Sequence, residues 1–158
     1  MKEQIKIKIM NQKGITLIEL IVVMVIIAIG AALMTPNISG WLPNYRIRSA
    51  TRDVASIMRV AQLKAVSNNT QYQVVFDTGN GSYVLQYRDT GNNWVAEGST
   101  MTLPTGVNFA TTLAGDTATF LPNSTATGAN ANIVLTNTKG SQKTISLLVL
   151  TGRIRINE

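Results

Sequence analysis

The chain has neither cysteine nor histidine among its 158 residues. Without thiols, neither a disulfide nor thiolate chemistry is available. Without imidazole it lacks the commonest general base and metal ligand, which argues against triad hydrolysis and zinc catalysis. Acidic side chains are scarce as well, 8 against 14 basic ones. Most of them, Asp53, Asp77, Asp89, Glu97, Asp116 and Glu158, lie scattered along the chain. Acid–base pairs and metal cages need carboxylates gathered together, so the composition argues against an enzyme and implies no cofactor or metal.

The basic excess divides unevenly. Of the net charge of +6, residues 1–14 contribute +3 through Lys2, Lys6, Lys8 and Lys13 against Glu3. Glu19 contributes −1, and residues 41–158 contribute +4. Basic residues ahead of an apolar helix hold that end in the cytoplasm by the positive-inside rule. The larger part is only mildly basic, which permits contact with an anionic polymer without demanding it.

What the chain has in quantity is one apolar run. Ile15 to Met34 carries a single charge, Glu19, near its start. Twenty residues at ~1.5 Å each make a helix of ~30 Å, the thickness of a bilayer core. A carboxylate there costs roughly 2.5–3.5 kcal/mol at mid-span and less near the end, which marks Glu19 as a functional candidate. A secretory signal has a shorter apolar core followed by a small-x-small cleavage site. Here Ala28-x-Gly30 and Gly30-x-Ala32 offer only weak sites of that kind, and Lys13-Gly14 precedes the run. Pro36, Gly40 and Pro43 then predict a kinked or loosened stretch, either a juxtamembrane linker or a hinge.

From Asn44 to about Ser67 a helical period returns, with Ile47, Ala50, Val54, Ile57, Met58, Ala61 and Ala65 on one face. Arg48, Arg52 and Arg59 share another direction, as a solvated face or as a stripe touching a neighbouring subunit or an anion. Beyond Thr70 the pattern predicts strands. Tyr72–Phe76 and Tyr83–Tyr87 flank a glycine-rich turn, with short candidates at Trp94–Val95, Met101–Leu103 and Thr119–Leu121. Residues 124–132 predict a loop. Ile133–Thr136 and Thr144–Leu150 predict a second hairpin, and Gly152 a bend before the edge-like strand Arg153–Ile156.

Lys13-Gly14, then Ile15-Thr-Leu-Ile-Glu19, the apolar helix and Pro36 resemble the class III signal of type IV pilins and type II secretion pseudopilins. The helix Arg48 to Asn69, the Tyr72–Tyr87 hairpin and the closing Thr151-Gly-Arg-Ile-Arg-Ile156 are similar to the GspH/FimT family of minor pseudopilins and minor pilins. Family members usually have Phe where this chain has Ile15. The resemblance implies an α+β fold, a long N-terminal helix whose membrane-spanning first half precedes an amphipathic second half packed on a mostly antiparallel β-sheet. It implies a leader at 1–14, a transmembrane and assembly helix at 15–35, and a periplasmic domain at 36–158. A prepilin peptidase would cut after Gly14, Ile15 would be N-methylated, and Glu19 would pair with the amino terminus of an adjacent subunit. The resulting protein would be a single-pass inner-membrane subunit, amino end cytoplasmic, whose partners are other pilin or pseudopilin subunits.

Two functions fit that resemblance. One is a structural minor pseudopilin of a type II secretion system. The other is a minor type IV pilin that primes assembly or takes up DNA through a basic C-terminal face. Arg153 and Arg155, two apart on a strand, point the same way, and Lys139 and Lys143 are expected to add to that face. Arginines on an edge strand also discourage unwanted pairing or serve a subunit contact, so the pattern alone leaves the choice open.

Overall fold

The computed structural model describes residues 14–157, and of residues 34–39 the backbone alone. The expected leader, Gly14 apart, therefore lies outside the described residues. The chain divides into two compact units, residues 1–38 and 39–158.

In the first unit, Gly14, Ile15 and Thr16 lead into helix α1, whose full range is Leu17–Ser67. Its apolar side chains are exposed all round, from Ile15 at 75% to Leu33 at 75%. No helix among the described residues is long and apolar enough to cross a membrane. The described side chains of the apolar stretch stop at Leu33, short of the roughly 20 residues a span takes. The expected span at 15–35 runs on into residues whose side chains are not described.

In the second unit α1 continues from Ser39 to Ser67. Through Pro36, Gly40 and Pro43, where a kinked or loosened stretch was expected, the backbone is assigned to the helix. Each proline removes one helical donor, and neighbouring groups can satisfy the acceptors left over. One turn away from Pro43, Lys139 Nζ donates to the Gly40 carbonyl at 3.0 Å. Asn44 Oδ1 accepts from Asn137 Nδ2 at 3.1 Å and from Ser141 Oγ at 3.3 Å, tying the same turn to the helix.

The apolar stripe expected on this half of α1 is buried except at Ile57, which is half-buried against the core. Ile47, Ala50, Val54, Met58, Ala61 and Ala65 are each 1% exposed or less. Its alanines keep that face low, so strands can lie close against it. Thr51, buried among them, satisfies its hydroxyl by donating to the Ile47 carbonyl at 2.7 Å.

The strands form two antiparallel sheets rather than the one expected. The first contains β1 (Tyr72–Asp77), β2 (Ser82–Arg88), β3 (Trp94–Ala96), β4 (Met101–Thr102) and β6 (Thr117–Phe120). Its order is β3-β2-β1-β6, with β4 also pairing β2. The second has the order β5-β7-β8-β9, from β5 (Val107–Thr111), β7 (Ala131–Asn137), β8 (Gln142–Leu148) and β9 (Arg153–Asn157). Val74, Leu85 and Phe120 of the first sheet and Phe109, Ile133, Leu135, Ile145 and Leu147 of the second join the helix stripe in one core. Burying each such side chain contributes roughly 1.5–3 kcal/mol.

Candidate functional site

The amino end of α1 is built around Thr16. Its Oγ1 accepts the backbone N–H of Glu19 at 3.3 Å, while its carbonyl accepts the first helical bond from Leu20 at 3.2 Å. Thr16 is thus the N-cap, and Thr16-x-x-Glu19 has the spacing of a capping box. Glu19 stands in the first turn, where the helix dipole stabilises a carboxylate by about 0.3–1 kcal/mol. Glu19 and Ile15 are both exposed. Gly14 has open space around it, since a Cβ there would meet nothing within 4 Å. The described fold therefore places no demand for glycine at that position.

The four basic residues expected on one C-terminal face are separated by the strand register. Arg153 and Arg155 are exposed on one side of β9, opposite Leu148 and Ser146 of β8. Ile154 and Ile156 point the other way, opposite Leu147 and Ile145. Lys143 shares the parity of Ile145 and Leu147, so it lies on the helix-facing side and not with the two arginines. Lys139 sits at the turn between β7 and β8, with its ammonium on the Gly40 carbonyl.

β9 is aimed by the glycine before it. Gly152 adopts φ 61°, ψ 15°, a left-handed conformation that ends the short 3-10 turn Val149–Thr151. A Cβ there would collide with the Ser124 carbonyl oxygen and the Gln62 amide. Gln62 Nε2 donates to Ser124 O at 2.8 Å, Ser124 Oγ at 3.0 Å and Gly152 O at 3.0 Å. One helix side chain thereby fixes both the 120s loop and the approach to β9. That loop is not wholly irregular, because Ala126 is buried and bridges to Phe120.

At the far end of α1, Lys64 pairs with Glu97, the only ion pair among the described residues. The bond to Lys64 is the main cause that holds the Glu97 carboxyl below its ordinary value, and burial works against it. The same bond, outweighing desolvation, raises Lys64 above its ordinary value. No group of acidic side chains among the described residues could hold a metal ion.

The sequence reading did not single out Thr16, Gln62 or the Lys64–Glu97 pair. Only the first had a local signal, the T-x-x-E spacing ahead of an apolar run.

Comparison with known proteins bears on both units. Residues 9–35 match the family described as the prokaryotic N-terminal methylation motif. No curated protein sequence matches the chain. Among solved structures, the minor pseudopilin EpsH of the type 2 secretion system of Vibrio cholerae aligns with a TM-score of 0.62 at 11% identity. That alignment covers 71% of this chain and 96% of the other. The type IV minor pilin FimU of Pseudomonas aeruginosa aligns with a TM-score of 0.59 at 15% identity, over 73% of this chain and 90% of that one. The motif at the amino end and the fold of the second unit are both similar to those of type IV pilin-like proteins. More particularly, the α+β fold is similar to that of a minor pseudopilin and a minor pilin.

Proposed function

We propose that the chain is a minor pseudopilin of a type II secretion system, held in the inner membrane with its amino end in the cytoplasm and assembled into the pseudopilus after processing. The carrying observation is the first half of α1, apolar on every side and exposed, with one carboxylate at its capped start. Such a surface is covered by lipid or by the like helices of other subunits. A prepilin peptidase supplies the requirement for glycine at Gly14 that the fold does not. Ile15 becomes the methylated amino terminus. Glu19 then pairs with the terminal amine of a neighbour, a cation at the same depth, because a carboxylate in apolar surroundings is tolerable when paired.

The test has two parts. Intact-mass analysis of the membrane-extracted protein finds a chain that starts at methylated Ile15, whereas Gly14→Val retains the leader. A start after Ala32 would overturn the reading. Glu19→Leu inserts as well as the parent or better, yet fails to co-purify with the other subunits. Normal co-purification of that variant would remove the pairing role.

A second reading is a minor type IV pilin that takes up DNA. The observation favouring it is the exposed pair Arg153 and Arg155 on one side of an edge strand. Two such cations can hold phosphates, with an affinity that falls steeply as salt rises. Gel-shift titration across salt concentrations tests it. Binding that survives Arg153→Ala with Arg155→Ala leaves this reading without support.

A further inference from the structure

The arginines of α1 were left by the sequence as a solvated face or a contact, and the fold gives them a setting. β9 is the terminal strand of its sheet, pairing with β8 alone. Its outer edge carries backbone donors and acceptors that no other strand among the described residues takes up. Between α1 and this end of the sheet lie two hollows. The first, about 270 Å³, is lined by Arg48, Arg52 and Lys143 with Ile156 at its base. The second, about 450 Å³, is lined by Arg59, Leu63 and Arg153 with Ile154. Helix and strand therefore run in opposite directions along one groove, with the half-buried isoleucines of β9 as its floor.

Among the described residues, the charged side chains lining the two hollows are basic. Arg48, Arg52 and Arg59 are all exposed, and none makes an ion pair among the described residues. The nearby acidic helix residue, Asp53, is engaged by the Ser49 hydroxyl at 3.4 Å. From Arg48 to Arg59 is eleven positions, about 16 Å of helix at ~1.5 Å each. An extended chain covers that length in about five residues at ~3.3 Å each, and β9 has 5 residues.

We propose that this groove receives an acidic, extended segment of a partner protein, added as a further strand along β9. The strand edge supplies main-chain hydrogen bonds, Ile154 and Ile156 supply an apolar floor, and the arginines select carboxylates. A nucleic acid fits less well, because no aromatic side chain lines either hollow for bases to stack on. The inference concerns the second unit and goes beyond the assembly role given to the first.

The full chain in detergent micelles, titrated with a short peptide alternating glutamate and valine, tests it. Expected are binding that weakens with salt, slower hydrogen exchange at the Ile154 and Ile156 amides, and a drop of about tenfold in affinity for Arg48→Gln with Arg52→Gln. Arg88→Gln, which lies on the other sheet beside Gln71 and Trp94, keeps parental affinity. No peptide binding at low salt, binding indifferent to the paired substitution, or unchanged exchange in β9 would each overturn the proposal. So would tighter binding of a single-stranded oligonucleotide of equal charge, which would give the groove to nucleic acid. None of these outcomes touches the mass of the amino terminus, so this proposal and the assembly reading fail separately.

Discussion

The two halves of α1 belong to one helix and solve opposite problems. From Leu17 to Leu33 nearly every residue is apolar, and none of those side chains is buried. From Ile47 to Ala65 the apolar residues keep to a stripe, and that stripe is almost wholly enclosed by the two sheets. A stripe tells a helix which side to bury and lets its own chain supply the cover. An apolar surface without a polar side gives no such instruction, and in the proposed function its cover is lipid or the helices of other subunits. The difference separates what holds the fold from what the protein offers to others.

Paired substitutions sharpen that contrast. Met58→Ala removes a fully buried side chain and costs about 2–5 kcal/mol in denaturant unfolding of the purified protein. Met24→Ala, at a position 62% exposed, changes the same measurement by no more than about 0.5 kcal/mol. Its effect is expected in subunit co-purification instead. Equal losses from the two would erase the distinction between the halves.

Next in size is Gly152→Ala. A left-handed conformation costs a non-glycine residue ~1–2 kcal/mol, and crowding against Ser124 adds a further ~1–3 kcal/mol. A loss of about 3 kcal/mol in unfolding free energy is expected, and parental stability would show that the Gln62 clamp is looser than its geometry indicates.

The smallest effect concerns pH. Glu97 is lowered in the folded state, so its contribution is present above its ordinary value of 4.5 and is lost as pH falls through the lower folded value. Lys64 is raised, so its contribution is full below 10.5 and is lost as pH climbs through the higher folded value. Glu97→Gln should flatten both flanks of the stability profile slightly, measured as thermal unfolding at a series of pH values. The pair is partly exposed, which keeps the change small.

Local patterns carried much of this architecture. The buried stripe of α1 and the hairpin of β1 and β2 follow from periods of 3.6 and 2 that few neighbouring residues can disguise. β5 escaped because Val107-Asn-Phe-Ala-Thr111 turns only two apolar side chains inward, too few to register as alternation. The division into two sheets escaped for another reason: pairing β1 with β6, or β5 with β7, joins segments that no local pattern connects. Pro36 and Pro43 lie within α1, because a missing donor weakens a helix locally without ending it. At the candidate site, Gly14 and Glu19 stood out in the sequence by type and place. The separation of Lys139 and Lys143 from the two β9 arginines depended on a register that composition does not encode.

The Gln62 clamp sets a timetable as well as a geometry. Its partners lie 62 and 90 residues further along the chain, so the helix emerges from the ribosome long before the groups that complete it. Contacts of such separation form late and slow the folding of the whole domain. A chain leaving the cytoplasm in stretched form would thus keep its last strand unfastened until Gly152 had followed, and its two sheets would close only on the far side.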